Sequence, residues 1–102
     1  MSAANRIMSD RMIGRHLVIT GRVQGVFYRG WMVEQARALG LHGWVRNRTD
    51  GSVEAVVIGT SETVETIIAR CQRGPSAARV EHIAVDDAAP ENLEGFEQRP
   101  TI

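Results

Sequence analysis

From Arg15 to Val23 the chain is rich in β-branched and apolar residues and closes on a glycine turn, which predicts a strand. At Tyr28 the period changes. Tyr28, Met32, Ala36 and Leu39 recur at helical spacing on one face, and Gly40 supplies a stop. The run Leu41–Asn47 reads as a second strand, and the Asp50-Gly51 pair marks a hairpin turn. Ser52–Gly59 returns as a third strand, with Val53, Ala55 and Val57 on one face and Glu54 on the other. Thr60 or Ser61 then caps a second helix, whose stripe Val64, Ile67, Ile68 and Cys71 is stopped by Gly74-Pro75. Val80, Ile83 and Val85 carry a fourth strand, and the segment from Gly95 to Arg99 a short fifth.

Two helices with one apolar stripe each need a sheet to bury against. The order β-α-β-β-α-β therefore predicts an α+β fold, a ferredoxin-like split βαβ sandwich with two helices on one face of a four- to five-stranded antiparallel sheet. No repeat, linker or low-complexity tract divides the chain. Residues 15–99 are expected to form one domain, residues 1–14 a loosely held extension and residues 100–102 a short tail.

Composition narrows the partners. Lys and Arg together number 12, as do Asp and Glu, so the chain has no net charge to attract nucleic acid or an anionic membrane. Any anion site must be built locally. Aromatics make up 5% of the residues and no strand resembles an RNA-stacking platform, which disfavours the RNA-binding use of this fold. No apolar run reaches membrane-spanning length, and the charged residues of the first fifteen positions leave no signal-peptide core. The single cysteine, Cys71, excludes an internal disulfide and fits a reducing cytoplasm.

Two segments carry chemistry. In Gly21–Arg29, two glycines flank the strand-to-helix loop and an arginine falls in the helix's first turn. The first N–H groups of a helix have no partner within it, and its dipole favours negative charge there. Gly21 and Gly25 permit a curl that converges N–H groups on an anion, and Arg29 adds a planar fork of donors. An ordinary turn with a solvated Arg29 is the alternative, although an arginine at that end opposes the dipole. In the second segment, Gly43–Gly59, Asn47 stands just before the hairpin turn. It is either a turn-starting residue bonded to its own backbone or a carboxamide able to hold a water beside a bound anion. Cys71 reads as core, and His16, His42 and His82 lack metal-ligand spacing.

The filled pattern Gly21, Val23, Gln24, Gly25, Val26, Tyr28, Arg29, followed by Gly43, Trp44, Val45, Arg46, Asn47, Gly51, Val53 and Gly59, resembles the two signature segments of the acylphosphatase family. The similarity runs from about His16 to Phe96. It implies hydrolysis of the carboxyl-phosphate anhydride of a small acyl phosphate, without metal or organic cofactor, and the chain is expected to act in the cytoplasm as a monomer. It further implies that Arg29 binds phosphate together with the loop Gln24, Gly25, Val26, Phe27 and Tyr28, and that Asn47 orients the attacking water. Gln98 and Pro100 depart from the alternation expected of a last strand, which raises the question of how the C-terminus docks.

Overall fold

The computed structural model describes residues 11–102. Strand β1 spans Met12–Arg22, helix α1 Tyr28–Ala38, β2 His42–Asn47 and β3 Val53–Thr60. Helix α2 (Ser61–Cys71), β4 (Arg79–Ala88) and the short β5 (Phe96–Gln98) complete the chain. The sheet order is β4-β1-β3-β2-β5. Strand β1 starts earlier than its sequence pattern suggests, because β3 runs on to Thr60 and offers partners as far as the Met12–Thr60 pair. Residues 12–14, expected in the N-terminal extension, therefore belong to the sheet. Residues 1–10 of that extension lie outside the described residues.

The sheet is mixed, which corrects the antiparallel expectation. Strands β1, β3, β2 and β4 pair antiparallel, but β5 lies parallel to β2 through Gly43–Phe96, Trp44–Glu97 and Val45–Gln98. The cause is topological. Strand β4 occupies one edge beside β1, and the chain crosses to the opposite edge, where it runs the same way as β2. Four strand spacings of about 4.8 Å separate those edges, roughly 19 Å, and the link 89–95 spans that only when nearly extended. Ile58, on the face away from the helices, is buried beside Pro90 and Leu93 of this link.

The core fills the space between the other face of the sheet and the helices. Leu17, Ile19, Val45, Val53, Ala55, Val57 and Phe96 come from the strands. Tyr28, Met32 and Ala36 of α1 meet Val64, Ile67 and Cys71 of α2. A bulge in the β1–β4 pairing after Thr20 lets both Val80 and Ile83, three residues apart, turn to the core. Gly21 sits at this bulge, where a Cβ would stand 2.2 Å from the Arg79 carbonyl oxygen. Its φ of 122° is also one that side chains avoid, so both the close approach and the backbone conformation call for glycine.

Helix α1 ends in a Schellman motif. Gly40 N–H donates to the Arg37 carbonyl and Leu41 N–H to that of Ala36, with Gly40 at φ 71°. The Tyr28 hydroxyl donates to the Cys71 carbonyl at 2.6 Å and so joins the first residue of α1 to the last of α2. Burial raises the Tyr28 phenol above its ordinary range and pushes the Cys71 thiol up to about 12, as suits core residues. Trp31 packs edge-on against Tyr28 at 5.4 Å between ring centroids. No helix among the described residues is long and apolar enough to cross a membrane.

Candidate active site

The connection from β1 to α1 is where the sequence placed an anion cradle, and its backbone is unusual. Gly25 has φ 73° and Phe27 has φ 66°, left-handed positions on either side of Val26. Phe27 is the only non-glycine residue with positive φ among the described residues, and for a side chain that conformation costs about 1–2 kcal/mol. It also serves as the N-cap of α1, without a side-chain hydrogen bond to the helix. None of the backbone N–H groups of residues 24–30 donates to a protein acceptor among the described residues. Alternating handedness of this kind turns successive N–H groups toward one point.

The charge at this end has one sign. Arg29 stands in the first turn of α1, no acidic residue shares that turn, and Arg29 enters no ion pair among the described residues. By contrast, Arg46 and His16 both hold Glu54 on the opposite sheet face, each at 2.7 Å. Burial works to raise the Glu54 carboxyl, but these two hydrogen bonds and charges outweigh it and keep the group below its ordinary value. Trp44, on the same face, is flanked by the guanidinium groups of Arg46 at 4.6 Å and Arg99 at 5.0 Å.

Asn47 ends β2, and the hairpin beyond it does not use its side chain. Asp50 Oδ1 accepts from Ser52 N–H at 2.9 Å and from Ser52 Oγ–H at 2.6 Å, bonds that lower its carboxyl. The Gly51 N–H donates to the Arg48 carbonyl and the Arg48 N–H to that of Ser52. With the turn held by these residues, the turn-starting role for Asn47 falls away. Its Oδ1 is buried and has no hydrogen-bond partner among the described residues. The C-terminus docks alongside, since Ile102 N–H donates to the Asn47 carbonyl and the Ile102 carbonyl accepts from Thr49 N–H.

These parts meet in one cleft of about 220 Å³. Gly25, Phe27, Tyr28, Arg29 and Gly30 line it from the loop and helix, Asn47 and Gln98 from the sheet. Gln24 and Val26 do not reach it with their side chains. Val26 is buried in the core, and Gln24 Nε2 donates to the carbonyls of Arg48 and Ser52, both at 2.8 Å. Gln24 thus ties the loop to the hairpin that carries Asn47. Gly30 and Gln98 were missed by sequence reasoning. The signal for Gln98 was its parity with Phe96 on β5, which turns both toward the helices. A larger groove of about 770 Å³ passes Trp31, Arg70 and Gly74 between the helices, and none of the expected site residues lines it.

A cleft with one unpaired cation, a row of free amides and a buried carboxamide oxygen suits a small oxyanion and a water beside it. The model of the acylphosphatase family matches residues 15–98. An acylphosphatase of Rhizorhabdus wittichii is 54% identical over 102 residues, the whole of both chains. One from Rhodopseudomonas palustris is 61% identical over 79 residues, covering 78% of this chain and 80% of its own. The solved acylphosphatase of Coxiella burnetii superposes with a TM-score of 0.83 at 31% identity, over 86% of this chain and 93% of that one. On its fold, its signature segments and these relatives, the chain belongs to the acylphosphatase family.

Proposed function

We propose that this cleft hydrolyses acyl phosphates to a carboxylate and inorganic phosphate, with Arg29 and the amides of the 24–28 loop binding the phosphoryl group and Asn47 orienting water. The observation that carries the assignment is the buried, unpartnered Asn47 Oδ1 in the same cleft as the unpaired Arg29. A buried acceptor without a protein donor is costly unless a ligand or water supplies the hydrogen. A water donating to Oδ1 has its lone pair left free for phosphorus.

The chemistry asks little else of the protein. Phosphoryl transfer depends on positioning and on stabilising charge at the equatorial oxygens, which here fall to Arg29 and the loop amides. Water forms the new P–O bond as the bond to the acyl oxygen breaks. The departing carboxylate has a conjugate acid with pKa about 4, so no general acid is needed. The water's proton passes to a phosphoryl oxygen of the substrate itself. An alkyl phosphate, whose alkoxide must be protonated, is a poor substrate for the same set of residues.

The reading extends to a metal-independent monomer acting in the cytoplasm on a small molecule. Each helix stripe already buries against the sheet within one chain, and the one cysteine is a buried thiol. The test is release of carboxylate from benzoyl phosphate by the purified protein, with and without chelator. Turnover unaffected by chelator is expected. A folded protein without activity contradicts the reading, and loss of activity with chelator contradicts its metal-free form.

A further inference from the structure

The catalytic reading accounts for the phosphoryl end of the substrate and leaves one conspicuous group in the cleft unused. Phe27 is 63% exposed, more than any other large hydrophobic residue described. A ring so exposed buries little apolar surface for the fold, and this one is held there by a left-handed backbone that side chains avoid. It is also fixed in place. A Cβ at Gly30 would lie 2.2, 2.6 and 2.9 Å from ring atoms Cε1, Cζ and Cδ1, so one ring edge rests on the backbone of the first turn of α1. Both residues line the cleft beside Arg29.

The direction of the reaction gives the ring a use. In phosphoryl transfer the attacking and leaving oxygens stand roughly in line through phosphorus. Water at Asn47 enters from the sheet wall, which β2 and β5 supply with Asn47 and Gln98. Phe27 and Gly30 line the same cleft from the loop and helix, not from the sheet, and are available to the departing acyl group. We propose that the Phe27 ring, seated on Gly30, is an acyl subsite that favours acyl phosphates with a flat aromatic acyl group over small aliphatic ones. This rests on the acylphosphatase reading above and adds the substrate class to it.

The experiment compares kcat/KM for benzoyl phosphate and acetyl phosphate in the wild-type chain and in Phe27→Gly, Phe27→Tyr and Gly30→Ala. Phe27→Gly removes the ring and keeps both the N–H and the left-handed backbone. The benzoyl-to-acetyl ratio is expected to fall roughly fivefold, the scale of one aromatic contact. Phe27→Tyr is expected to hold the wild-type ratio. Gly30→Ala, which displaces the ring without deleting it, is expected to lower the ratio as Phe27→Gly does. Competitive inhibition by inorganic phosphate, measured in the same variants, reads the loop amides separately from the ring. An unchanged ratio in Phe27→Gly overturns the subsite, as does an equal loss for both substrates together with lost phosphate inhibition. A wild-type chain that hydrolyses neither substrate overturns instead the reading on which the subsite rests.

Discussion

Helix α2 begins with Thr60 as N-cap, its Oγ1 accepting from Thr63 N–H, and with Glu62 in the first turn. Helix α1 begins with a left-handed Phe27, no side-chain cap, and Arg29 in place of an acid. The two helices have the same length and pack on the same sheet, so packing does not explain the difference. By ordinary helix energetics α1 forgoes about 1 kcal/mol for the cap and about 0.3–1 kcal/mol for the misplaced charge. What it gains is a set of free amides and a cation converging on one cleft. One helix start serves stability, and the other, in the function proposed above, gives up stability for an anion.

That contrast can be broken at several points. Arg29→Ala should lower kcat/KM for benzoyl phosphate by about 10²–10³-fold and abolish competitive inhibition by phosphate, read from steady-state kinetics. Its melting temperature should hold or rise slightly, since a cation is removed from the positive end of a dipole. Next in size, inorganic phosphate at 100 times its Kd should stabilise the wild-type fold by about 2.7 kcal/mol in a thermal-shift titration. The same titration should leave Arg29→Ala unmoved. At α2 the signs reverse: Thr60→Ala should cost about 1 kcal/mol of stability, a drop in Tm of about 4–8 °C, with kcat unchanged.

The smallest effect concerns Glu54 on the far sheet face. Its folded pKa lies below the ordinary value, so its contribution to stability is fully present above the unfolded pKa of about 4.3. It is lost as pH falls through the folded value. Denaturant unfolding followed from pH 6 to 3 should show this decline in the wild type and a flatter one in Glu54→Gln. An equal slope in both chains would assign the acid sensitivity to other carboxylates.

Much of this was legible in the sequence because it is local. The alternation of Val53, Ala55 and Val57 and the stripes of the two helices specify element type without any long-range contact. An arginine in a helix's first turn is an electrostatic anomaly visible in one dimension. The direction of β5 was not legible, because a three-residue strand takes its partner from whichever edge the chain can reach. Neither was the freedom of Asn47, which depends on Asp50 and Ser52 taking over the turn. The tether from Gln24 to the carbonyls of Arg48 and Ser52 joins residues more than twenty positions apart, and periodicity carries no such information. Gln98 looked like a flaw in a strand and proved to line the cleft.

The division of labour in the cleft is tested most directly by steady-state kinetics of Asn47→Ala, with benzoyl phosphate as substrate and inorganic phosphate as competitor. Removing an unpartnered buried oxygen leaves the fold intact, while the water loses its anchor. A fall in kcat of about 10²-fold is expected, with the phosphate inhibition constant within about twofold of the wild type. A variant that kept the wild-type kcat would contradict the account.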